Sequence, residues 1–236
     1  STGMFSFGLW DKSERSLHLA RDRFGEKPLY WGLKKISSSA KHSIVFGSEL
    51  SAIYALPGVC TSINRVALEN FLRKGCIEAP LCIEEGLRQL SPGHYVTIPC
   101  NKEGYFSLQL PLEKSWWHSV SFAKSAQENQ YSNETHALQD LENILLKSIK
   151  QQTLSDVPLG VFLSGGIDSS LITALLQSQS ETAINSFTIS FPEGGFDEQS
   201  FDEGAHAKKI AEYLGTNHCE VPLTSSDALR LIPNLS

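Results

Sequence analysis

The fold class that these 236 residues predict is α+β followed by α/β: an incomplete antiparallel sandwich, then an incomplete doubly wound parallel sheet. Three observations predict it. Apolar and polar residues alternate with period two through short runs in the first hundred residues, the mark of half-buried antiparallel strands. From Leu159 onward the strands are apolar at successive positions and alternate with helical stretches, the mark of a parallel sheet. Between these regions residues 111–133 are polar and irregular apart from Trp116-Trp117, and read as a linker. The expected divisions are 1–110, 111–133 and 134–236.

In chain order, Phe5, Phe7 and Leu9 alternate with Ser6 and Gly8, and Leu17 and Leu19 flank His18. Two strands are expected, joined by the polar turn Asp11–Arg15. A third strand covers Leu29–Leu33, after the Gly25-Glu26-Lys27-Pro28 turn, and a fourth covers Ser43–Phe46, after the Ser37–Ser39 loop. Short helices are expected over Ser48–Leu56 and Val66–Lys74. Ser91-Pro92-Gly93 then turns the chain into a strand at His94–Ile98. Past the linker, Leu138, Leu141, Leu145 and Ile149 share one helical face, with Ser132 or Asn133 placed to cap it. Strand Leu159–Leu163, helix Ser169–Gln177, strand Ser186–Phe191, helix Asp202–Leu214 closed by Gly215, and strand His218–Val221 complete the series. The sheet is expected to be covered on both sides.

Composition narrows the function classes. Hydrophobic residues make up 41% and charged residues 19%, a balance that fits a globular chain. No apolar run approaches the roughly 20 residues of a membrane-spanning helix, and no leader opens the chain, so a cytoplasmic setting is the default. The five cysteines are never closer than six residues apart, which offers neither a zinc knuckle nor a redox pair. Net charge is −6, divided as about +2 before Thr153 and −8 after it. Nucleic-acid binding through a basic face is therefore not expected. The chain opens on Ser1 in a strand-like run and stops at Ser236 soon after a helix-like stretch, so both ends are expected to be cut.

The acidic half carries the segment with the most chemical content, Ser164-Gly165-Gly166-Ile167-Asp168-Ser169-Ser170, between an apolar strand and a helix. Glycines let the main chain turn sharply and approach a ligand closely. Amides at the helix start point at an anion, aided by about half a positive charge from the helix dipole. Ser164, Ser169 and Ser170 offer hydroxyls, and Asp168 offers a carboxylate for a magnesium ion bridging phosphate oxygens. No Gly-Lys-Ser/Thr follows, so this is not a Walker loop. Phe162 stands where a nucleophile elbow would need glycine. A bare glycine-rich turn closing a strand–helix unit is the bland reading; seven specified residues in this context favour a phosphate site. A triphosphate brings about four negative charges, and after Thr153 only Lys208, Lys209 and Arg230 oppose them. Backbone dipoles and metal are left with much of the load.

Ser-Gly-Gly-x-Asp-Ser-Ser resembles the pyrophosphate-binding loop of the ATP pyrophosphatases. The text from Asp156 to Ser170 resembles glutamine-dependent asparagine synthases. So do Gly3–Trp10, Ala20–Tyr30, Phe46–Leu50, Ser186–Phe191 and Phe201-Asp202-Glu203, and together these span nearly the whole chain. The resemblance implies the back of an N-terminal-nucleophile-type glutaminase sandwich over 1–110. It implies the front of an adenine nucleotide alpha hydrolase-like synthetase domain over 134–236. It further implies glutamine, aspartate and ATP as substrates, with magnesium. Glutamine is hydrolysed in the first domain and its ammonia passes through an internal tunnel. In the second domain a carboxylate attacks the α-phosphate of ATP, giving an acyl-adenylate and pyrophosphate, and ammonia then displaces AMP. Ser164, Gly165, Gly166, Asp168, Ser169 and Ser170 would hold the pyrophosphate moiety, while Leu163 and Ile189 flank adenine or ribose. A homodimer of the longer parent is compatible with this family; a membrane or nucleic-acid partner is not implied.

The family's glutaminase nucleophile is an N-terminal cysteine that this chain lacks, so no catalytic residue is assigned and the chain alone is expected to be inactive. Rival readings are the same chemistry on another carboxylate (a sugar acid, a peptide or an antibiotic precursor), a different ATP pyrophosphatase, or a non-catalytic nucleotide-binding relative. Two readings are open for Arg21, Asp22, Arg23 and Lys27: a border of the interdomain tunnel, or a salt-linked surface turn. Glu49 beside Ser48 reads mainly as a helix start, and Asp202-Glu203 as helix capping. His206, His218, Cys219 and Glu220 lack ligand spacing. Trp116-Trp117 is expected to pack at a domain seam.

Overall fold

The computed structural model describes residues 3–35, 42–59, 61–128, 130–191 and 203–234, and the chain forms two compact units, Ser1–Gln130 and Tyr131–Ser236. In the first unit the alternating runs become the hairpin β1 (Ser6–Asp11) and β2 (Ser16–Arg21). Its turn is held by the Asp11 carboxylate, which accepts from the amides of Ser13 at 2.8 Å and Glu14 at 3.0 Å. Strands β3 (Tyr30–Lys35) and β4 (His42–Gly47) form a second antiparallel pair. The expected Ser37–Ser39 loop lies outside the described residues. Helix α1 (Leu50–Tyr54) follows, then α2 (Arg65–Lys74). The Asn64 side chain caps α2 by accepting from Val66 and Ala67 amides, and Gly75 closes it in the left-handed region.

Strand β5 (Leu87–Gln89) joins the free side of β3. At three residues it is too short to show a period, and sequence reading missed it. Gly32 of β3 permits the pairing: a methyl group there would lie 2.1 Å from the Gly86 carbonyl oxygen. Strand β6 (His94–Pro99) pairs with β2, and β7 (Lys114–Ser115) pairs with β6. The sheets are thus β1-β2-β6-β7 and β4-β3-β5. Leu17 and Leu19 of β2 and Val96 and Ile98 of β6 bury against Leu29, Trp31 and Leu90, which makes the sandwich core. Val45, Ile53, Cys82 and Leu87 fill a second core on the other face of β4-β3-β5, beneath α1.

The segment 111–133 is more ordered than its composition suggests. Besides β7 it contains helix α3 (Ser119–Gln127). Order there comes from distant partners: the Trp116 indole N–H donates to Arg21 O at 3.2 Å and its ring stacks on Phe5, while Trp117 meets Phe24 edge-on at 5.0 Å. Both tryptophans pack within the first unit.

In the second unit α4 (Glu134–Gln152) begins at Asn133, whose side chain accepts from the Thr135 amide at 2.8 Å. Of its expected apolar face, Leu145 and Ile149 are half-buried, whereas Leu138 and Leu141 are exposed. There follow β8 (Gly160–Phe162), α5 (Ile167–Ser178), β9 (Asn185–Ser190), α6 (Gly204–Leu214), β10 (Asn217–Pro222) and α7 (Ser225–Leu231). Helix α7 opens on a reciprocal cap between Thr224 and Asp227. The expected start of α6 at Asp202 lies outside the described residues.

The three strands are parallel in the order β10-β9-β8. Stepping in one direction with right-handed crossovers puts both connecting helices on one face. Burial agrees: Ser186, Thr188 and Ser190 are buried, while on the opposite face Ile189 and Val221 are exposed and Phe162 is 77% exposed. The expected cover on both sides is therefore present on one side only among the described residues. Leu163 packs with Ala207 and Ala211 of α6 on the covered side.

Candidate functional site

The loop between β8 and α5 stands at the carboxyl end of the parallel sheet, where open α/β sheets bind ligands. The Leu163 amide extends the ladder to Phe187 O at 2.8 Å, and its carbonyl accepts from the Thr188 hydroxyl. The loop's entry is thereby fixed to β9. Gly165 then takes φ +83°, open to glycine and costly for other residues. A methyl group on it would lie 2.9 Å from His206 Cδ2 and 3.1 Å from the Ala207 backbone nitrogen. Angle and space both require glycine here.

Helix α5 begins at Ile167 with Gly166 as its N-cap, two residues before the expected start at Ser169. Ser169 is inside the first turn, reaching backward: its hydroxyl lies 2.9 Å from Ser164 Oγ, accepts from the Ser164 amide at 3.2 Å, and lies 3.2 Å from Gly166 O. Ser170 donates its hydroxyl proton to Gly166 O at 2.7 Å, and the Gly166 amide donates to Ser164 Oγ at 3.3 Å. The three serines, expected to be donors to an anion, fasten the loop to itself.

The amides behave differently. Those of Gly165, Ile167, Asp168 and Ser169 have no hydrogen-bond acceptor among the described residues. Such orphan donors at a helix start form a ready anion site. The Asp168 side chain is exposed in the first turn of α5 and makes no hydrogen bond or ion pair among the described residues. A free carboxylate beside a phosphate position suits magnesium, which takes one or two carboxylates, phosphate oxygens and several waters.

The structure gathers Ser164, Gly165, Gly166, Asp168, Ser169 and Ser170 into one turn. Leu163 and Ile189 are placed otherwise. They stand at adjacent strand ends, but the Leu163 side chain is 1% exposed in the core, whereas Ile189 is exposed on the open face. Leu163 is therefore occupied in side chain and main chain alike, whereas the Ile189 side chain is free on the open face.

Sequence reading also missed a hub in the first unit. Asp22 is 1% exposed and accepts from the amides of Phe5, Phe24, Glu26 and Lys27 at 2.9–3.3 Å. Burial alone would raise its carboxyl; the amides of Lys27, Glu26 and Phe5 outweigh that and hold it below the ordinary range. Arg21, 6% exposed, donates to the carbonyls of Gly25, Lys27 and Leu90. These two residues are interior clamps of the loop, not a salt-linked surface turn; Arg23 and Lys27 remain exposed. The clue was positional, since Arg21 ends a strand whose alternate residues are core. Nearby, Glu49 is the N-cap residue of α1 without a side-chain cap bond, and Glu203 likewise precedes α6 without one.

The comparisons with known proteins divide the chain similarly. Residues 1–110 match the glutamine amidotransferase domain family and residues 140–236 match the asparagine synthase family. Glutamine-hydrolyzing asparagine synthetase 3 of Bacillus subtilis is 29% identical over 235 residues, covering 95% of this chain and 35% of that protein. Glutamine-hydrolyzing asparagine synthetase 1 of the same organism is 25% identical over 233 residues, covering 99% and 33%. Amidase chry2 of Gibberella zeae is 26% identical over 236 residues, covering 91% and 31%. The chain spans about a third of the length of these curated relatives. Among the described residues no helix is long and apolar enough to cross a membrane. The amidotransferase match falls on the antiparallel sandwich and the asparagine synthase match on the parallel unit, the arrangement of an asparagine synthetase fragment that spans both domains.

Proposed function

We propose that this chain is part of an ATP-dependent ligase that takes ammonia from glutamine and forms the amide of aspartate. Residues 1–110 belong to its amidotransferase domain, 111–133 to the linker and 134–236 to its ATP-binding domain. The observation that carries the reading is the set of unpaired amides of Gly165, Ile167, Asp168 and Ser169 at the end of a parallel strand. A carboxylate resists nucleophiles until one of its oxygens becomes a good leaving group. Attack on the α-phosphate of ATP accomplishes that, releasing pyrophosphate and leaving an acyl-adenylate from which ammonia displaces AMP.

In this reaction the loop holds the two outer phosphates, so the bond that breaks lies at its edge. The amides donate to nonbridging oxygens, and the stapled serines keep those amides aligned before ATP arrives, which lowers the reorganisation needed at the transition state. Magnesium, when bound, neutralises phosphate charge; Asp168 would hold it. The Ile189 side chain offers an apolar edge to adenine or ribose, while Leu163, bonded to β9 through its amide and carbonyl, fixes the strand end beside it. ATP and magnesium are thus the expected substrate and metal.

The test uses the longer protein with magnesium, ATP, glutamine and candidate acceptors. Release of AMP and pyrophosphate that depends on aspartate is the expected result; release of ADP and phosphate, or no nucleotide turnover with any acceptor, would reject it. A second reading is the same chemistry on another carboxylate, since the loop holds the nucleotide and leaves the acceptor open. It predicts AMP release with a different acceptor and none with aspartate.

A further inference from the structure

The loop that would receive the phosphates holds no lysine or arginine, and it belongs to a half-chain with a net charge of −8. The side chain in closest register with its glycine is His206. A methyl group placed on Gly165 would lie 2.9 Å from His206 Cδ2 and 3.3 Å from its Cβ, so the imidazole edge lies directly against the loop backbone. His206 is exposed in the first turn of α6, and neither ring nitrogen has a hydrogen-bond or ion-pair partner among the described residues. Nε2 is bonded to Cδ2, the ring atom nearest the loop. Lys208 stands roughly 200° round α6 from His206, on the opposite side, and Lys209 roughly 60° from it but about one turn further from the helix start.

We infer that His206 is a phosphate-binding residue of this site, donating a ring N–H to a nonbridging oxygen of the pyrophosphate moiety. The inference rests on the proposed role of the Ser164–Ser170 loop and adds to it the one side-chain donor that the loop itself lacks. Ser164, Ser169 and Ser170 use their hydroxyls internally, so the loop offers the anion amides alone. An amide set aligned by α5 grips the anion from one side. The imidazole, set beside Gly165 and carried by a different helix, grips it from another. A donor on a second element gives selectivity for a diphosphate group over a single phosphate, because only the longer anion reaches both.

Binding of magnesium pyrophosphate and of AMP to the whole chain, followed by calorimetry, tests this. Wild type, His206→Ala, His206→Gln and the loop variant Ser169→Ala are compared, with the unliganded melting curve of each. His206→Ala is expected to weaken pyrophosphate about tenfold, the effect of one charge-assisted hydrogen bond, with AMP binding and the melting curve unchanged. His206→Gln, which keeps a side-chain N–H donor, is expected to recover most of the loss. Wild-type affinity for pyrophosphate in His206→Ala, with Ser169→Ala impaired, overturns the role of His206 and leaves the loop reading intact. Equal weakening in the alanine and glutamine variants, accompanied by a lower melting point, also overturns it, since packing alone would explain that. No pyrophosphate binding by wild type overturns the loop reading and this inference together.

Discussion

The hydroxyl oxygens of Ser164 and Ser169 lie 2.9 Å apart, joining the residue before the glycine pair to the first turn of α5. That contact closes the loop on itself. Ser169→Ala removes the contact together with the acceptor for the Ser164 amide. The expected outcome is about tenfold weaker magnesium-ATP or pyrophosphate binding at a stability loss of about 1 kcal/mol, since the loop is solvent-accessible and water replaces part of what is lost. Calorimetric titration and a denaturant melt measure the two effects.

Gly165→Ala is expected to be more damaging. The left-handed angle costs a residue with a Cβ about 1–2 kcal/mol, and the new methyl group meets the Ala207 backbone, which cannot yield as a flexible side chain can. Amide exchange along α6 should accelerate and pyrophosphate binding should vanish. Unchanged exchange at Ala207 and Ala211 would show that the loop and α6 are not in register.

Asp168→Ala tests the carboxylate assigned to magnesium. In the longer protein it should abolish AMP formation by at least a hundredfold while glutamine hydrolysis continues, because the residue is exposed and supports no other side chain. AMP formation at the wild-type rate would remove Asp168 from the reaction.

Asp22 supplies a pH prediction. Its carboxyl is held below the ordinary range in the folded chain, so its contribution is complete above the unfolded value of about 3.9 and disappears as pH falls through the lower folded value. Asp22→Asn places an amide NH₂ against backbone donors such as Lys27 N–H. At pH 7 it should cost about 2–3 kcal/mol, and the gap from wild type should close below about pH 4. All four tryptophans lie in the first unit, so indole fluorescence reports its melting selectively.

Lys34 and Glu84 form a buried ion pair, and Glu84 also accepts from the Ser62 amide at 2.9 Å. Lys34→Met alone leaves a charge uncompensated in the interior and should cost about 3–5 kcal/mol; adding Glu84→Gln should return much of it. A double variant no better than the single one would show that the pair does not act as a unit.

Period-two alternation and strand–loop–helix succession made both fold classes legible, because each reports burial at consecutive positions of one element. What escaped was held by distant partners. Strand β5 exists through its contact with Gly32, and the order around Trp116 depends on Phe5 and Arg21, far earlier in the chain. Charged residues look like surface, which hid the interior position of Arg21 and Asp22. At the loop, the residue types pointed to an anion, yet their division of labour required coordinates: serines hold the turn and amides remain free. Helix α5 starts two residues before the expected Ser169 because Gly166 fills the capping position, and the Ser169 hydroxyl turns back to Ser164.

The uncovered side of the β10-β9-β8 sheet governs how this chain behaves as a material. Phe162, Phe187 and Cys219 align across its three strands, with Ile189 and Val221 in the next row. That apolar stripe is expected to bind hydrophobic dyes in the native state and to lower the sulfate concentration at which the chain precipitates, as dye titration and a salt series check. Handling conditions are thereby tied to one face of a small sheet.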